Sequence, residues 1–117
     1  MRAIYDAFAL RDVDAALEYV ADDCEFELPG TAQRAGRVGP YIGPEGVRQY
    51  FADATAIWSE LTLYADDVRA ASGGVAVFGH VEGRHGDELL RRRVLWLWQI
   101  RDGQAVHVRA NDLGELE

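Results

Sequence analysis

Lysine is absent from this 117-residue chain, which carries all twelve of its basic side chains as arginine. Twenty acids outnumber these bases, so the formal net charge is −8. Nucleic-acid binding requires clustered positive charge to neutralise phosphates, and attraction to anionic membrane surfaces requires the same. The composition therefore disfavours both partners, whereas the binding of a neutral or cationic small molecule is unopposed.

Cysteine is scarce as well. Cys24 is the single cysteine, which excludes an internal disulfide and a multi-cysteine metal site. Its neighbours Asp23 and Glu25 disfavour a thiolate, so the position indicates a small buried core thiol rather than a nucleophile. No apolar run approaches the roughly 20 residues of a membrane span, and the first residues do not resemble a signal peptide. A cytoplasmic protein is therefore expected.

Apolar periodicity predicts three helices in the first half of the chain. The first covers residues 1–10. The second begins after Asp12, a favourable N-cap, and ends at residues 22–23. The third and clearest begins at residues 43–45, where a proline at the first helical position precedes an acid in the first turn, and it ends near Ser59.

Alternation with a period of two predicts the strands. The first strand covers residues 24–28, with Phe26 and Leu28 on one side, and residues 30–43 form a glycine-rich loop or a short strand. Four more strands are predicted at residues 61–70, 75–84, 89–100 and 105–112. The Asp102-Gly103 pair is typical of a hairpin turn. These elements predict a single α+β domain over residues 1–117, with helices on one face of an antiparallel sheet.

Several short motifs, in order along the chain, resemble those of one family. They are Tyr5-Asp-Ala-Phe8, Arg11-Asp-Val-Asp-Ala-Ala-Leu17, Ala21-Asp-Asp-Cys-Glu-Phe26 followed by Pro29, Gly43-Pro-Glu-Gly-Val47 with Tyr50-Phe51, and Trp98-Gln-Ile-Arg-Asp-Gly103 with Val108-Arg-Ala110. Together they resemble the nuclear transport factor 2-like superfamily, in its SnoaL-like bacterial branch. The resemblance implies a cone-shaped α+β fold, in which three N-terminal helices pack in a strongly bent, mostly antiparallel sheet. It also implies a pocket at the open end and a homodimer.

The resemblance does not fix an activity, because the superfamily includes ketosteroid isomerases, polyketide cyclases, epoxide hydrolases, dehydratases and non-catalytic modules. In the isomerases that the chain resembles, the general base and the oxyanion donor are aspartates. Here those two positions hold Leu28 and Trp96, and the tyrosine donor on the first helix falls at Ile4 or Tyr5. Leucine and tryptophan cannot exchange an acidic proton, so isomerase chemistry of that design is not expected.

The resemblance also implies which strand faces line the pocket. It places Phe78, His80, Glu82 and Arg84 on the cavity face, together with Phe26, Leu28, Trp96, Trp98, Val108, Ala110 and Asp112. On the strand at residues 75–84, alternation alone would instead bury the opposite face, which carries Val75, Val77, Gly79 and Val81. Both sets can be buried only if a dimer partner covers the outer face of the sheet.

These residues predict a pocket for a small hydrophobic molecule, with apolar walls and few polar groups. His80 is the expected proton carrier, because an imidazole titrates near neutral pH, and Asp112 the second acid or base, because burial would raise its pKa. Glu82 and Arg84 would orient the substrate. The expected chemistry is cofactor-free isomerisation, cyclisation or dehydration. The alternative is a non-catalytic module, in which tryptophans fill the cone and the sheet contacts a partner.

A metal site is not predicted. His80, Glu82 and His107 are suitable ligand types, but no motif fixes their geometry, and His107 belongs to the face opposite the pocket. The arginines at positions 91–93 are expected to pair with acids such as Glu25, Glu27 or Glu88.

Overall fold

The computed structural model describes residues 2–10 and 12–115. Met1, Arg11, Leu116 and Glu117 belong to the predicted domain of residues 1–117 but lie outside the described residues. The described chain forms four helices and six strands. In order, they are α1 (Arg2–Ala9), α2 (Val13–Leu17), β1 (Val20–Glu27), α3 (Pro29–Arg34), β2 (Tyr41–Ile42), α4 (Gly43–Ile57), β3 (Glu60–Ala71), β4 (Gly74–His85), β5 (Glu88–Arg101) and β6 (Gln104–Glu115).

The strands form one sheet in the order β2-β1-β6-β5-β4-β3. β3 to β6 make an antiparallel meander, and β1 joins its β6 edge in parallel. At the β5–β6 turn, Asp102 and Gly103 both have positive φ, 53° and 78°, as the predicted hairpin requires. Bulges interrupt β3 between Ala65 and Asp67 and β6 between Asp112 and Gly114, where they increase the local twist and bend of the sheet. The α+β architecture predicted from the sequence is confirmed.

The helices begin largely where their capping signals predict. Asp12 caps α2 by accepting a hydrogen bond from the Ala15 amide at 3.1 Å. The second helix ends at Leu17 rather than at residues 22–23, because Val20 already belongs to β1 and the Tyr19 carbonyl accepts the Ala105 amide at 2.7 Å. Helix α4 begins at Gly43, whose φ of 65° suits glycine.

The segment between β1 and α4 is more ordered than predicted. Helix α3 covers its start, with Thr31 and Ala32 buried, and β2 pairs Tyr41 with Phe26. The buried Tyr41 donates its hydroxyl hydrogen bond to Asp53 on α4 at 2.8 Å, and Arg37 forms an ion pair with the same carboxylate. These contacts fix the segment on α4, and the hydrogen bond from Arg37 is the main cause of the lowered pKa of Asp53.

The core lies between the helices and the concave face of the sheet. Cys24 is fully buried there, as predicted, and burial, assisted by the charges of Asp23 and Glu25, raises the pKa of its thiol to about 12. The thiol is therefore inert at neutral pH. No helix among the described residues combines the length and apolar character needed to cross a membrane.

Candidate functional site

A cavity of about 280 Å³ lies between the concave face of the sheet and the helices. Its described lining is mainly aromatic and aliphatic. The apolar contributors include Tyr5, Phe8, Phe26, Leu28, Tyr50, Trp58, Leu61, Leu63, Val81, Leu90, Val94, Trp96, Trp98, Val108 and Ala110. All three tryptophans of the chain are among them.

One wall of the cavity is built by an aromatic cluster on β5 and α1. Trp96 and Trp98 lie two residues apart on β5 and so share a face. Tyr5 contacts both rings edge-on, with centroid distances of 5.3 and 5.9 Å, and the Trp98 indole donates to the Tyr5 hydroxyl at 3.0 Å. Burial raises the pKa of Tyr5 far above its usual value, so the phenol stays neutral. The cluster is a rigid apolar surface with one hydroxyl.

Trp58 and α3 form another side of the cavity. The Trp58 indole donates to the Thr31 hydroxyl at 3.1 Å, and the Arg34 guanidinium lies over the same ring, 5.0 Å from its centroid. Gly83 on β4 makes room for this tryptophan, because a Cβ there would come within 2.9 Å of two ring carbons. Trp58 is buried in the core, and the same side chain also lines the cavity.

An ion pair lies at the polar edge of the cavity. Arg92 donates from Nε and Nη2 to both carboxylate oxygens of Asp112, at 2.9 to 3.2 Å. Asp112 also accepts the Gly114 amide at 2.8 Å. Burial alone would raise the pKa of Asp112, but the Arg92 and Gly114 hydrogen bonds and the Arg92 charge lower it below its usual value. Asp112 is thus an ionised carboxylate at neutral pH, contrary to the raised pKa predicted from the sequence.

The structure overturns the predicted cavity face of β4. Val81 and Gly83 line the cavity, so Phe78, His80, Glu82 and Arg84 lie on the convex side of the sheet. The physical reason is space: Trp58 and Trp96 pack so closely on β4 that a Cβ at Gly83 or Gly79 would come within 2.9 Å of their rings. The small residues must therefore face inward, and the valine alternation gave the correct face.

Each polar residue of the displaced set has a partner outside the cavity. His80 Nδ1 lies 2.6 Å from Asp66, and its ring stacks on Tyr64 at 4.3 Å. Arg91 donates to Glu82 at 3.2 Å, and Arg84 lies 3.7 Å from Glu60. The cavity is out of reach of this imidazole, so the predicted catalytic role of His80 and the orienting roles of Glu82 and Arg84 have no geometric basis.

The other predicted pocket residues do meet around the cavity. They are Phe26, Leu28, Trp96, Trp98, Val108, Ala110 and Asp112. On α1, Tyr5 lines the main cavity, whereas Ile4 lines a second cavity of about 220 Å³ beyond Trp98. The structure thus places Leu28, Trp96 and Tyr5 at the cavity. Leu28 and Trp96 are the two positions at which the isomerases have aspartates.

Sequence reasoning missed Tyr50, Arg34 and Arg92 as cavity residues. The alternation that puts Trp96 and Trp98 on one face of the strand also puts Arg92 on that face, so the sequence alone could have placed Arg92 at the cavity. Arg91 pairs with Glu82 and Arg92 with Asp112, rather than with the predicted Glu25, Glu27 or Glu88.

Within the described residues, no cluster of three or more His, Cys, Asp or Glu side chains could hold a metal ion. The three residues considered for one are engaged separately: His80 with Asp66, Glu82 with Arg91, and His107 with Glu27 at 2.7 Å.

Comparison with known proteins gives the following similarities. The sequence profile of the SnoaL-like domain matches residues 1–108. TerC, crystallised with polyporic acid, is 23% identical, with a TM-score of 0.81 over 95% of this chain and 86% of its own. A nuclear transport factor 2-like protein of unknown function from Burkholderia pseudomallei is 20% identical, with a TM-score of 0.84 over 95% and 86%. IdmH of Streptomyces antibioticus, proposed to be a polyketide cyclase, is 24% identical, with a TM-score of 0.77 over 96% and 88%. No curated protein matches the chain.

Proposed function

Because the chain belongs to the SnoaL-like domain family of the nuclear transport factor 2-like superfamily, we propose that it binds a flat, hydrophobic small molecule in its cavity. The observation that carries this proposal is the cavity of about 280 Å³ itself, with aromatic walls and few polar groups. That size and lining are typical of small-molecule sites. A non-catalytic module whose cone is filled by tryptophans would leave no such space, and here the tryptophan rings border the cavity instead.

The structural neighbours support the same class of ligand. TerC was crystallised with polyporic acid, and IdmH is proposed to be a polyketide cyclase. Flat molecules suit the walls formed by Trp58, Trp96 and Trp98, because aromatic faces stack on planar rings.

The proposal is tested by titration with N-phenyl-1-naphthylamine, a neutral aromatic probe, and with polyporic acid. Every tryptophan of the chain lines the cavity, so intrinsic emission reports on this site. We expect saturable quenching of the tryptophan emission at about one probe per chain, with a Kd near or below about 10 μM. Emission that only falls linearly with probe concentration would contradict the proposal.

A second candidate function is proton transfer by Asp112, favoured by its position as an ionised carboxylate on the cavity wall. Asp112 would take a proton from a carbon next to a carbonyl group and return one from water, the step shared by isomerisation, cyclisation and dehydration.

With 2-tetralone in D₂O, we expect the protein to catalyse deuterium uptake at that carbon. Asp112→Asn should slow this uptake by about a hundredfold or more, since a positioned base contributes 10² to 10⁴. Because the pKa of Asp112 lies below its usual value, the catalysed rate should stay constant from about pH 5 to pH 8. An unchanged rate in Asp112→Asn would exclude this role.

We also propose that the chain forms a homodimer through the convex face of the sheet. Cross-strand pairs place Phe78 beside Leu95 and Ala76 beside Leu97 on that face, and Phe78 and Leu97 are about 40% exposed. Such an exposed apolar patch suits a self-complementary interface. Sedimentation velocity should show a dimer for the wild type and a monomer for Leu97→Glu. A wild-type protein that is still monomeric at about 100 μM would contradict the proposal.

A further inference from the structure

The charge that borders the cavity has the opposite sign to the charge of the chain. Two guanidinium groups, Arg34 and Arg92, and one carboxylate, Asp112, belong to the described lining. Two positive charges and one negative charge leave this lining net positive, whereas the whole chain carries −8. Excess positive charge at an apolar cavity of an acidic protein favours the binding of anions there.

Arg34 differs from three of the arginines on the outer face of the sheet. Arg69, Arg84 and Arg91 each lie within 4 Å of a carboxylate on the same face. Among the residues that the structure describes, no carboxylate forms an ion pair with Arg34. Its guanidinium stacks over Trp58, and its Nη1 donates to the Gly30 carbonyl at 3.1 Å. These two contacts restrain the guanidinium and leave its other donors available at the cavity.

Hydrogen bonds to Asp112 hold the Arg92 guanidinium in a fixed orientation. The pairing with Asp112 uses Nε and Nη2 and does not involve Nη1. The side chain of Arg92 is 34% exposed, so it is partly removed from water. A guanidinium that is fixed and partly desolvated binds an ionised oxygen more strongly than a fully solvated one.

We infer that the ligand is an aromatic acid: a flat hydrophobic body that carries a carboxylate, sulfonate or ionised phenol. The body lies against the tryptophans, and the acidic group binds Arg34 and Arg92. This inference rests on the proposed function and adds the charge of the ligand to it. Asp112 opposes the anion, so the two arginines have to outweigh one carboxylate.

Two probes with the same aromatic body, one charged and one neutral, separate the contribution of ligand charge to binding from that of ligand hydrophobicity. 1-Anilinonaphthalene-8-sulfonate carries a sulfonate, and N-phenyl-1-naphthylamine lacks it. Arg34→Gln and Arg92→Gln should each weaken sulfonate-probe binding by about tenfold and change neutral-probe binding by less than about twofold. Asp112→Asn should strengthen sulfonate-probe binding. The control is Arg109→Gln, which removes an exposed arginine outside the cavity and should change neither affinity.

The outcomes distinguish the two proposals. If the neutral probe binds but loss of Arg34 or Arg92 leaves sulfonate-probe affinity unchanged, or weakens both probes equally, the acidic ligand class is wrong and the proposed cavity function stands. If neither probe binds the wild-type protein, both proposals fail. A variant whose thermal unfolding has the same midpoint temperature as that of the wild type has an intact fold.

Discussion

Ala110→Phe should weaken the binding of N-phenyl-1-naphthylamine by roughly a hundredfold. Ala110 lies on β6, opposite Trp96 and on the cavity wall, so a phenyl ring at this position occupies the space that the ligand needs. Loss of about 100 Å² of apolar contact, at about 25 cal per mol per Å², weakens binding by roughly a hundredfold. Titration of tryptophan emission measures the change.

The matched control is Ala70→Phe, the same substitution at an exposed position near the end of β3 that does not line the cavity. It should bind the probe as the wild type does. Val81→Phe, which enters the cavity from β4, gives an independent test if Ala110→Phe folds poorly. Wild-type affinity in both cavity variants would place the binding site elsewhere.

Gly79→Ala should lower the free energy of unfolding by about 3 kcal/mol, the upper part of the range for overpacking a core. A Cβ at Gly79 would lie 1.8 Å from the Tyr64 carbonyl oxygen and 2.9 Å from a Trp96 ring carbon. The Tyr64 carbonyl oxygen belongs to the backbone of β3, beside the bulge at Ala65 and Asp67. It cannot move without disturbing the β3–β4 pairing. Chemical denaturation, followed by circular dichroism, measures the loss.

Gly30→Ala is the matched control for this prediction. A Cβ at Gly30 meets no atom within 4 Å, and the residue belongs to helix α3, where alanine is favoured by up to about 1 kcal/mol over glycine. This variant should be as stable as the wild type or slightly more stable. Equal stability of the Gly79 and Gly30 variants would mean that β4 does not pack against Trp96 as described.

The parts of the fold that sequence patterns predicted are those with strong local signals. Proline at the start of α4, the Asp12 cap and the Asp-Gly turn each specify backbone geometry within a few residues. Helix α3 also begins with a proline, Pro29, but it covers only six residues, and its N-cap, Leu28, makes no side-chain cap hydrogen bond. A helix this short is not stable alone, so it depends on the buried Thr31 and its bond to Trp58.

The cavity face of β4 shows a different limit. Both alternating sets on this strand contain apolar residues, and the resemblance favoured the set with Phe78 and His80. The deciding factor is the size of the tryptophans that pack against β4 across the cone. The two glycines at positions 79 and 83 share the valine face, and their lack of side chains was the available indication that bulky rings lie above it.

We expect the concave cavity, and not the convex face of the sheet, to bind the ligand. Correlation spectra (¹⁵N–¹H) of the protein with N-phenyl-1-naphthylamine distinguish the two faces, because the indole N–H signals of Trp58, Trp96 and Trp98 are resolved from the backbone amides. We predict that all three indole signals shift on saturation with the probe. Unchanged indole signals, together with shifts confined to the amides of Phe78, His80 and Leu97, would contradict this expectation.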